Sequence, residues 1–228
     1  MKAFISWCGG KESSLACYKA MESLEISYLL NMISEDGKHS RSHGIDSMLL
    51  KVQSEAIGIP IIQRKTTWQS YEQEFKKAVS EFKKGNIEAG VFGDIDLEEH
   101  REWVERVCEE LDIEAILPLW GKTRAEVVGE FIDSGFEAVV VATKAELLGP
   151  EWLGRRIDGK FVRDMENLRN VDLCGESGEY HTFVTSGPIF NKRIKMLQTK
   201  KVQRDEHWFL DISEYTLEDK EYKLERTH

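Results

Sequence analysis

The sequence predicts an α/β fold in which a parallel β-sheet carries helices on both faces. Three observations lead to this prediction. Short apolar runs alternate, along the first half, with segments whose apolar residues recur every three to four positions. Glycine or proline stands between many of these segments. The 228 residues, 41% hydrophobic and 32% charged, have an ordinary globular balance and enough length for a sizeable core.

The first half contains five short predicted strands with helices between them. The strands are expected at residues 3–7, 27–33, 60–63, 89–92 and 115–117. The apolar faces of the four intervening helices begin at Leu15, Ile45, Tyr71 and Leu97. Gly58 and Gly85 end the second and third helices, as glycine commonly does just past a helix.

The second half follows a looser pattern. Pro118 stops the fifth strand, and the segment from Thr123 to Glu126 has the form of a capping box that begins another helix. A valine-rich strand is expected at 138–142, and further β segments around 194–202 and 208–212. We therefore predict a first domain at residues 1–118 and a smaller C-terminal α+β domain at 119–228.

Charge and apolar-run length narrow the class of protein. No apolar run approaches the roughly 18 residues of a membrane helix, and the apolar start is too short for a signal peptide. We therefore expect a cytoplasmic protein with no membrane partner. The net charge of −10 argues against nucleic acid as the main partner, because phosphate neutralisation needs a basic surface. The four cysteines form no Cys-x-x-Cys pair, which argues against structural zinc.

A glycine pair joins the first strand to the first helix in the segment Ser6-Trp7-Cys8-Gly9-Gly10-Lys11-Glu12-Ser13. Ligands of parallel sheets bind at the carboxyl ends of strands, and glycines let an anion approach backbone N–H groups. The helix adds unpaired N–H groups and the positive end of its dipole. Lys11 contributes a charge and Ser13 a hydroxyl. The segment predicts a phosphate site; the alternative is a plain strand–helix turn with an exposed lysine.

Glutamates alternate with glycines in a second segment, Cys174-Gly175-Glu176-Ser177-Gly178-Glu179-Tyr180-His181-Thr182-Phe183. Paired carboxylates beside an aromatic ring suit the binding of a cation, or the steering of ammonium to a reacting acyl group. A surface hairpin is the alternative interpretation.

Together the two segments resemble a known family. The first is similar to the Ser-Gly-Gly-x-Asp-Ser loop of PP-loop ATP pyrophosphatases, with Cys8 in place of serine and Glu12 in place of aspartate. The second resembles the Gly-Glu-Gly-Gly-Glu-(Phe/Tyr)-Glu-Thr signature of the diphthine–ammonia ligase family. Supporting segments lie between them in the family's order: Gly93-Asp94, Arg101, Leu117-Pro118-Leu119-Trp120 and Trp152-Leu153-Gly154-Arg155.

The resemblance implies a Rossmann-like, doubly wound sheet of the PP-loop type, with ATP bound by residues 1–118 and the acceptor by residues 119–228. ATP would be split to AMP and pyrophosphate with the help of Mg²⁺. The diphthine carboxylate of translation elongation factor 2 would be adenylated, and ammonia would displace AMP. A homo-oligomer is compatible with the sequence, which leaves the oligomeric state and the ammonia source open.

The resemblance also implies site residues. Those expected to contact the nucleotide are Ser6, Cys8, Gly9, Gly10, Lys11, Glu12, Ser13, Gly93 and Asp94. Those expected to contact the acceptor or ammonia are Arg101, Trp120, Gly154, Arg155, Gly175, Glu176, Gly178, Glu179, Tyr180 and His181. Lys11, Glu176 and Glu179 are the expected catalytic residues, and no residue is singled out as a metal ligand.

One departure from the signature bears on the acceptor. His181 stands where the family has its last glutamate. Diphthine carries a trimethylammonium group, so imidazole in place of a carboxylate weakens the match to a cationic substrate. A side branch of the family has histidine here, and a role in cobalamin-related metabolism is proposed for that branch. The chemistry is therefore more strongly indicated than the acceptor.

Three other functions fit the sequence less well. A tRNA-modifying PP-loop enzyme would commonly need a cysteine pair or a basic surface, and this chain has neither. A non-catalytic nucleotide sensor is favoured by the departures at Cys8 and Glu12. A glutamine-fed synthetase has no support, because the sequence offers no N-terminal cysteine nucleophile.

Overall fold

Five parallel strands form the first sheet of the computed structural model, which describes residues 1–41 and 44–220. The strands are β1 Lys2–Ser6, β2 Glu25–Ile33, β3 Ile61–Lys65, β4 Ala89–Val91 and β5 Glu114–Ile116. Their spatial order is β3-β2-β1-β4-β5, and every neighbouring pair is parallel. This confirms the predicted doubly wound α/β fold. The strand order reverses between β1 and β4, so a ligand crevice is expected at their carboxyl ends.

Helices cover both faces of this sheet: α1 Lys11–Ala20, α2 Ser47–Ile57, α3 Tyr71–Lys83 and α4 Glu98–Glu110. Two buried apolar clusters show which face each helix packs on. Leu15 of α1 and Leu50 of α2 belong to one cluster, whereas Phe75 of α3 and Val107 of α4 belong to the other. Gly58 follows α2 with a φ of 85°, as its predicted role at the end of that helix requires.

The C-terminal part contains a mixed helix and sheet structure. Helix α5 at Arg124–Asp133 begins with the predicted capping box, in which Thr123 and Glu126 each bond to the other's backbone N–H. The second sheet has the antiparallel order β7-β6-β9-β8. Its strands are β6 Glu137–Lys144, β7 Tyr180–Ser186, β8 Lys192–Arg204 and β9 His207–Asp219.

Some C-terminal elements differ from the sequence prediction. Strands β8 and β9 are 13 residues each and extend well beyond the predicted segments, because they pair with each other along their whole length. A short 3-10 helix at Pro150–Trp152 and helix α6 at Gly159–Glu166 were not predicted. No helix among the described residues is both long and apolar enough to span a membrane.

The second sheet packs on the face of the first that carries α1 and α2. One buried cluster joins Leu15 and Leu50 to Val140 of β6 and Phe183 of β7. Strand β7 contacts the turn after β1, because the Val184 N–H donates to the Gly9 carbonyl at 3.0 Å. The predicted domain boundary at residue 118 falls between β5 and α5, and as a boundary it stays a prediction.

Candidate functional site

The turn after β1 has a backbone that only glycine suits. Gly9 has a φ of 81°, and a Cβ there would lie 2.4 Å from Leu50 Cδ2. Gly10 is the N-cap of α1 and has no side chain with which to cap it, while the Lys11 N–H donates to Thr182 Oγ1 at 3.1 Å. Helix geometry gives the N–H groups of Glu12 and Ser13 no carbonyl partner within the helix. We call residues 8–13 the phosphate loop; its first turn is a ready anion site.

A buried glutamine supports the phosphate loop from behind. The Gln53 side chain accepts from Trp7 Nε1 at 3.0 Å and donates to the carbonyls of Gly9 at 3.0 Å and Val184 at 2.7 Å. Asn31 adds a bond to the Trp7 carbonyl at 2.8 Å. Sequence reasoning missed Gln53, although a polar residue on the apolar face of a predicted helix was an available signal. Its bonds connect the phosphate loop to the second sheet.

Gly93 and Asp94 follow β4 in the chain, and Gly93 lies next to the first turn of α1. A Cβ on Gly93 would be 3.1 Å from the Ser13 nitrogen, so its backbone approaches the first turn of the helix closely. Asp94 Oδ1 lies 3.1 Å from His100 Nδ1, and this hydrogen bond raises the pKa of His100. The structure thus brings the predicted pair beside the phosphate loop and adds His100, which sequence reasoning did not identify.

Two hydrogen bonds within the phosphate loop use side chains predicted to contact the nucleotide. The Cys8 thiol donates to Ser13 Oγ at 3.3 Å, and the Ser13 hydroxyl donates to the Gly10 carbonyl at 3.1 Å. Ser6 ends β1 immediately before the loop. Both side chains bond within the loop, so the backbone of the loop and the end of the helix are the parts available to an anion.

Lys11 does not point into solvent. It is 2% exposed, and its ammonium donates to the Cys174 carbonyl at 2.5 Å, pairs with the Glu12 carboxylate and lies 4.8 Å from the centre of the Tyr180 ring. Burial alone would lower the pKa of Lys11, but Glu12 and the other neighbours outweigh it and the pKa is raised. The lysine of this turn is therefore buried, in contrast to the exposed lysine of the alternative interpretation. Lys11 joins the two sequence motifs.

The second motif folds into a loop that two carboxylates support. Glu179 is buried and accepts from the N–H groups of Asp172 at 3.1 Å and Ser177 at 3.0 Å. Asp172 accepts from the N–H groups of Cys174 at 2.8 Å and Glu176 at 3.2 Å. We call residues 172–179 the glutamate loop. Both oxygens of Glu179 are used within it, which gives that residue a structural role where an acceptor contact was predicted.

Glycines allow the glutamate loop to close on the start of β7. Gly175 and Gly178 have φ values of 71° and 82°, and a Cβ on Gly175 would lie 2.6 Å from the Tyr180 carbonyl oxygen. Tyr180 is 1% exposed, and its hydroxyl donates to the Leu173 carbonyl at 2.5 Å. The cation that contacts the Tyr180 ring is Lys11. Because the ring is buried and Lys11 lies against it, the ring is closed to an acceptor.

Glu176 is the glutamate of the motif that remains accessible. Burial, followed by the nearby Glu12 carboxylate, raises its pKa from 4.5 to about 7. Glu12 Oε1 is itself buried, and it pairs with the Lys11 ammonium. Two carboxylates, Glu12 and Glu176, therefore lie close together beside the start of α1. Within residues 1–41 and 44–220, no three His, Cys, Asp or Glu side chains form a set able to hold a metal ion.

The remaining predicted residues contact side chains outside the two loops. Arg101 lies over Trp120 at 5.1 Å, on the segments that follow β4 and β5. Gly154 is in a left-handed turn, and Arg155 lies over Trp152 at 4.2 Å. Phe161 contacts both Trp152 and Tyr180, so a row of aromatic rings connects Arg155 to Lys11.

His181 is the second residue of β7, directly after Tyr180, and it pairs across the sheet with Ala142 of β6. It is partly buried. The structure therefore places it next to the glutamate loop, at the end of the second sheet that faces the phosphate loop.

Two family models match the chain. Residues 1–115 match the diphthamide synthase N-terminal domain, and residues 123–218 match the diphthamide synthase C-terminal domain. The boundaries of the two matches lie close to the division predicted at residue 118.

Several curated proteins are similar over most of the chain. Diphthine–ammonia ligase of Rattus norvegicus is 28% identical over 217 residues, which covers 82% of this chain and 79% of the relative. The Mus musculus enzyme of that name is 27% identical and covers 90% of this chain and 86% of the relative. The Homo sapiens enzyme is 26% identical, with 82% and 79% covered.

Among solved structures, a crystal structure described as a predicted subunit of tRNA methyltransferase from Methanocaldococcus jannaschii superposes with a TM-score of 0.41. Its sequence is 15% identical, and the superposition covers 62% of this chain and 80% of that one.

Proposed function

The chain belongs to the diphthamide synthase family, and from this premise we propose that it is an ATP-dependent ligase that turns a carboxylate into an amide with ammonia. Relatives of this chain are named diphthine–ammonia ligases, which supports an amide ligase. The acceptor that their name indicates is diphthine, carried by translation elongation factor 2. ATP is cleaved to AMP and pyrophosphate.

One observation carries the proposal: Lys11 ties the phosphate loop to the glutamate loop. Its ammonium bonds to Cys174 of the second loop and pairs with Glu12 of the first. Adenylation followed by amide formation needs the nucleotide and the acceptor within a few ångströms of each other, because positioning supplies much of the rate. The hydrogen bond from the Lys11 ammonium to the Cys174 carbonyl, which crosses from one loop to the other, supports a shared site for both.

The phosphates of ATP bind at the first turn of α1, where backbone N–H groups lack helical partners and the helix dipole favours an anion. Gly93 leaves room there, since any larger residue would press on Ser13. Mg²⁺ would fit the same place, because Glu12 puts a carboxylate in the first turn of α1 and Mg²⁺ commonly takes one or two carboxylates together with phosphate oxygens. When bound, Mg²⁺ neutralises phosphate charge.

The reaction has two steps. A carboxylate oxygen of the acceptor attacks the α-phosphorus of ATP, and the bond to pyrophosphate breaks. Ammonia then attacks the acyl carbon, AMP leaves with the bonding electrons, and the nitrogen loses a proton. The Glu176 carboxylate accepts that proton, since a pKa of about 7 suits a general base at neutral pH. Glu179 holds the loop that carries Glu176.

The test is incubation with ATP, ammonia and diphthine-bearing elongation factor 2, followed by chromatography of the nucleotides and mass spectrometry of the factor. AMP and pyrophosphate, with a carboxamide on the factor, are expected. ADP as the main product would contradict the proposed reaction. A protein that binds ATP but releases no pyrophosphate with any acceptor would be a nucleotide sensor.

A different carboxylate is the second candidate acceptor, because His181 stands in place of the last glutamate of the signature beside the glutamate loop. His181→Glu restores the diphthine-type signature. If diphthine is not the natural acceptor, this variant should improve any trace activity on it. Full wild-type activity on diphthine, with no gain in the variant, would show that His181 does not redirect specificity.

A further inference from the structure

An exposed tryptophan lies at the same edge of the parallel sheet as the phosphate loop. Trp68 is in the loop that follows β3, at the carboxyl end of that strand, and it is 67% exposed. The other large apolar side chains exposed to a comparable degree among the described residues are methionines and a leucine. An exposed indole at a ligand-binding edge is a ready surface for a ring or a cation.

A second aromatic ring, Tyr71, lies between Trp68 and the surroundings of the phosphate loop. It stacks on Tyr71, the first residue of α3, with the ring centres 6.2 Å apart and the planes at 25°. Tyr71 is partly buried, and burial followed by the charges of Asp94 and Cys8 raises its pKa to about 12. Tyr71 therefore lies close to two of the residues predicted to contact the nucleotide.

A cationic side chain lies over the exposed Trp68 ring. The Arg41 guanidinium lies 4.7 Å from the centre of the Trp68 ring. Its Nε is buried without a hydrogen-bond partner in residues 1–41 and 44–220, and no carboxylate in those ranges pairs with it. In a chain of net charge −10, an arginine without an acidic partner at this edge is open to an anionic ligand.

The acceptor of the proposed reaction needs both kinds of contact. In diphthine, the carboxylate that reacts and a trimethylammonium group are attached to the same carbon atom. Aromatic faces bind quaternary ammonium groups, and arginine binds carboxylates through paired N–H donors. The ring that sequence reasoning assigned to the ammonium group, Tyr180, is closed by burial and by Lys11.

We propose that Trp68 and Arg41 bind the acceptor, the indole face taking the quaternary ammonium group and the guanidinium taking the carboxylate beside it. The assignment rests on the proposed function, because it specifies the acceptor part of that site. Binding moves the Arg41 guanidinium from the ring face to the carboxylate. A ligand that carries both charges on one carbon satisfies both side chains at once.

Binding of a small fragment tests this assignment without any turnover. Glycine betaine has a trimethylammonium group and a carboxylate on one carbon, and 3,3-dimethylbutanoate has the same shape without the positive charge. The indole N–H signals of the protein are followed by NMR as each compound is added. The wild type should bind glycine betaine about threefold to thirtyfold more tightly than 3,3-dimethylbutanoate, the range of a cation–π contact.

Two variants separate the roles of the side chains. Trp68→Leu should abolish the preference for glycine betaine and leave the affinity for 3,3-dimethylbutanoate unchanged, whereas Trp68→Phe should retain part of the preference. Arg41→Gln should weaken the binding of both compounds, because both carry the carboxylate. Equal affinity of the wild type for the two compounds, or a preference that survives in Trp68→Leu, would overturn the assignment.

The full reaction gives a second, independent measurement. For the diphthine-bearing factor, Trp68→Leu should raise KM about threefold to thirtyfold while the affinity for ATP stays unchanged. A matching loss of ATP affinity would show that the ring binds the nucleobase, which also overturns the assignment. If the wild type forms no amide, the proposed function fails, while the binding of glycine betaine still decides the role of Trp68 and Arg41.

Discussion

The phosphate loop and the glutamate loop differ in the side chains that hold their backbones. The phosphate loop is supported from outside, because Gln53 bonds to Gly9 and Thr182 Oγ1 accepts from the Lys11 N–H at 3.1 Å. The glutamate loop is supported from inside, because Asp172 and Glu179 each accept two of its own N–H groups. Glu179 thus holds the glutamate loop, whereas Glu176 stays partly exposed and is the glutamate that we expect a ligand to contact.

The largest expected effect concerns the connection between the loops. Lys11→Ala removes one partner of a buried ion pair and leaves Glu12 with an uncompensated charge, so the free energy of unfolding should fall by about 3–5 kcal/mol. Urea unfolding measures this. Lys19→Ala, in the same helix but in a partly exposed pair with Glu130, should cost about 0–1 kcal/mol.

The same variant also addresses the phosphate contact predicted for Lys11. A charge-assisted contact to phosphate is worth about 1.5–3 kcal/mol, and its loss should lower ATP affinity tenfold to a hundredfold by calorimetry. Unchanged stability together with weaker ATP binding would mean that the ammonium serves the phosphate loop alone. That result would contradict the assignment of Lys11 as the connection between the two loops.

The next effect tests whether Glu179 holds the glutamate loop. Glu179→Gln keeps one accepting oxygen but turns an amide NH₂ toward a backbone N–H, so one charge-assisted bond is lost. Unfolding free energy should fall by about 1.5–3 kcal/mol, and amide formation should fall with it. The exposed Glu146→Gln, beside Lys144, is the control and should change stability very little. A Glu179→Gln protein of full stability would remove the distinction between the two glutamates.

Glu176→Gln should have the opposite effect on stability. Its pKa is raised from 4.5 to about 7 in the folded state, so the folded protein binds more protons than the unfolded chain between these values. Stability contributed at this site is present below pH 4.5 and is lost as the pH rises to 7. Glutamine does not ionise, so the Glu176→Gln variant does not lose this stability as the pH rises. It should be more stable than the wild type by about 1–2 kcal/mol at pH 8 and no more stable at pH 4, by urea unfolding at each pH.

Activity of the same variant sharpens the comparison. If Glu176 accepts the proton from ammonia, Glu176→Gln should lower amide formation by roughly 10²-fold while ATP affinity stays nearly intact. A stabilised but inactive Glu176→Gln and a destabilised Glu179→Gln would together assign a chemical role to one glutamate and a structural role to the other. Normal amide formation in Glu176→Gln would place the base elsewhere.

The smallest effect concerns the hydroxyl of Tyr180. Tyr180→Phe removes the bond to the Leu173 carbonyl and keeps the ring that faces Lys11. Unfolding free energy should fall by about 0.5–1.5 kcal/mol, with ATP affinity unchanged. Tyr180→Leu removes the cation contact as well and should cost more. Equal stability of the two variants would show that the ring contributes nothing to holding Lys11.

Much of the backbone followed from short-range pattern. The capping box at Thr123, the end of α2 at Gly58 and the strand–helix turn at Gly9 and Gly10 each depend on residues within a few positions of one another. The alternation of strand and helix predicted the parallel sheet, because such crossovers leave few other arrangements. The length of β8 and β9 was underestimated, since their pairing with each other outweighs weak local periodicity.

The sequence by itself determined the fold class, the family and the position of both motifs, because these depend on the kind and spacing of neighbouring residues. Only the tertiary structure decided what the side chains of those motifs contact. Lys11 bonds to a carbonyl 163 positions away, and Gln53 bonds to one 131 positions away. Partners at such separations are chosen by the packing of the second sheet against α1 and α2, and no local pattern encodes which distant group a buried charge or amide will meet.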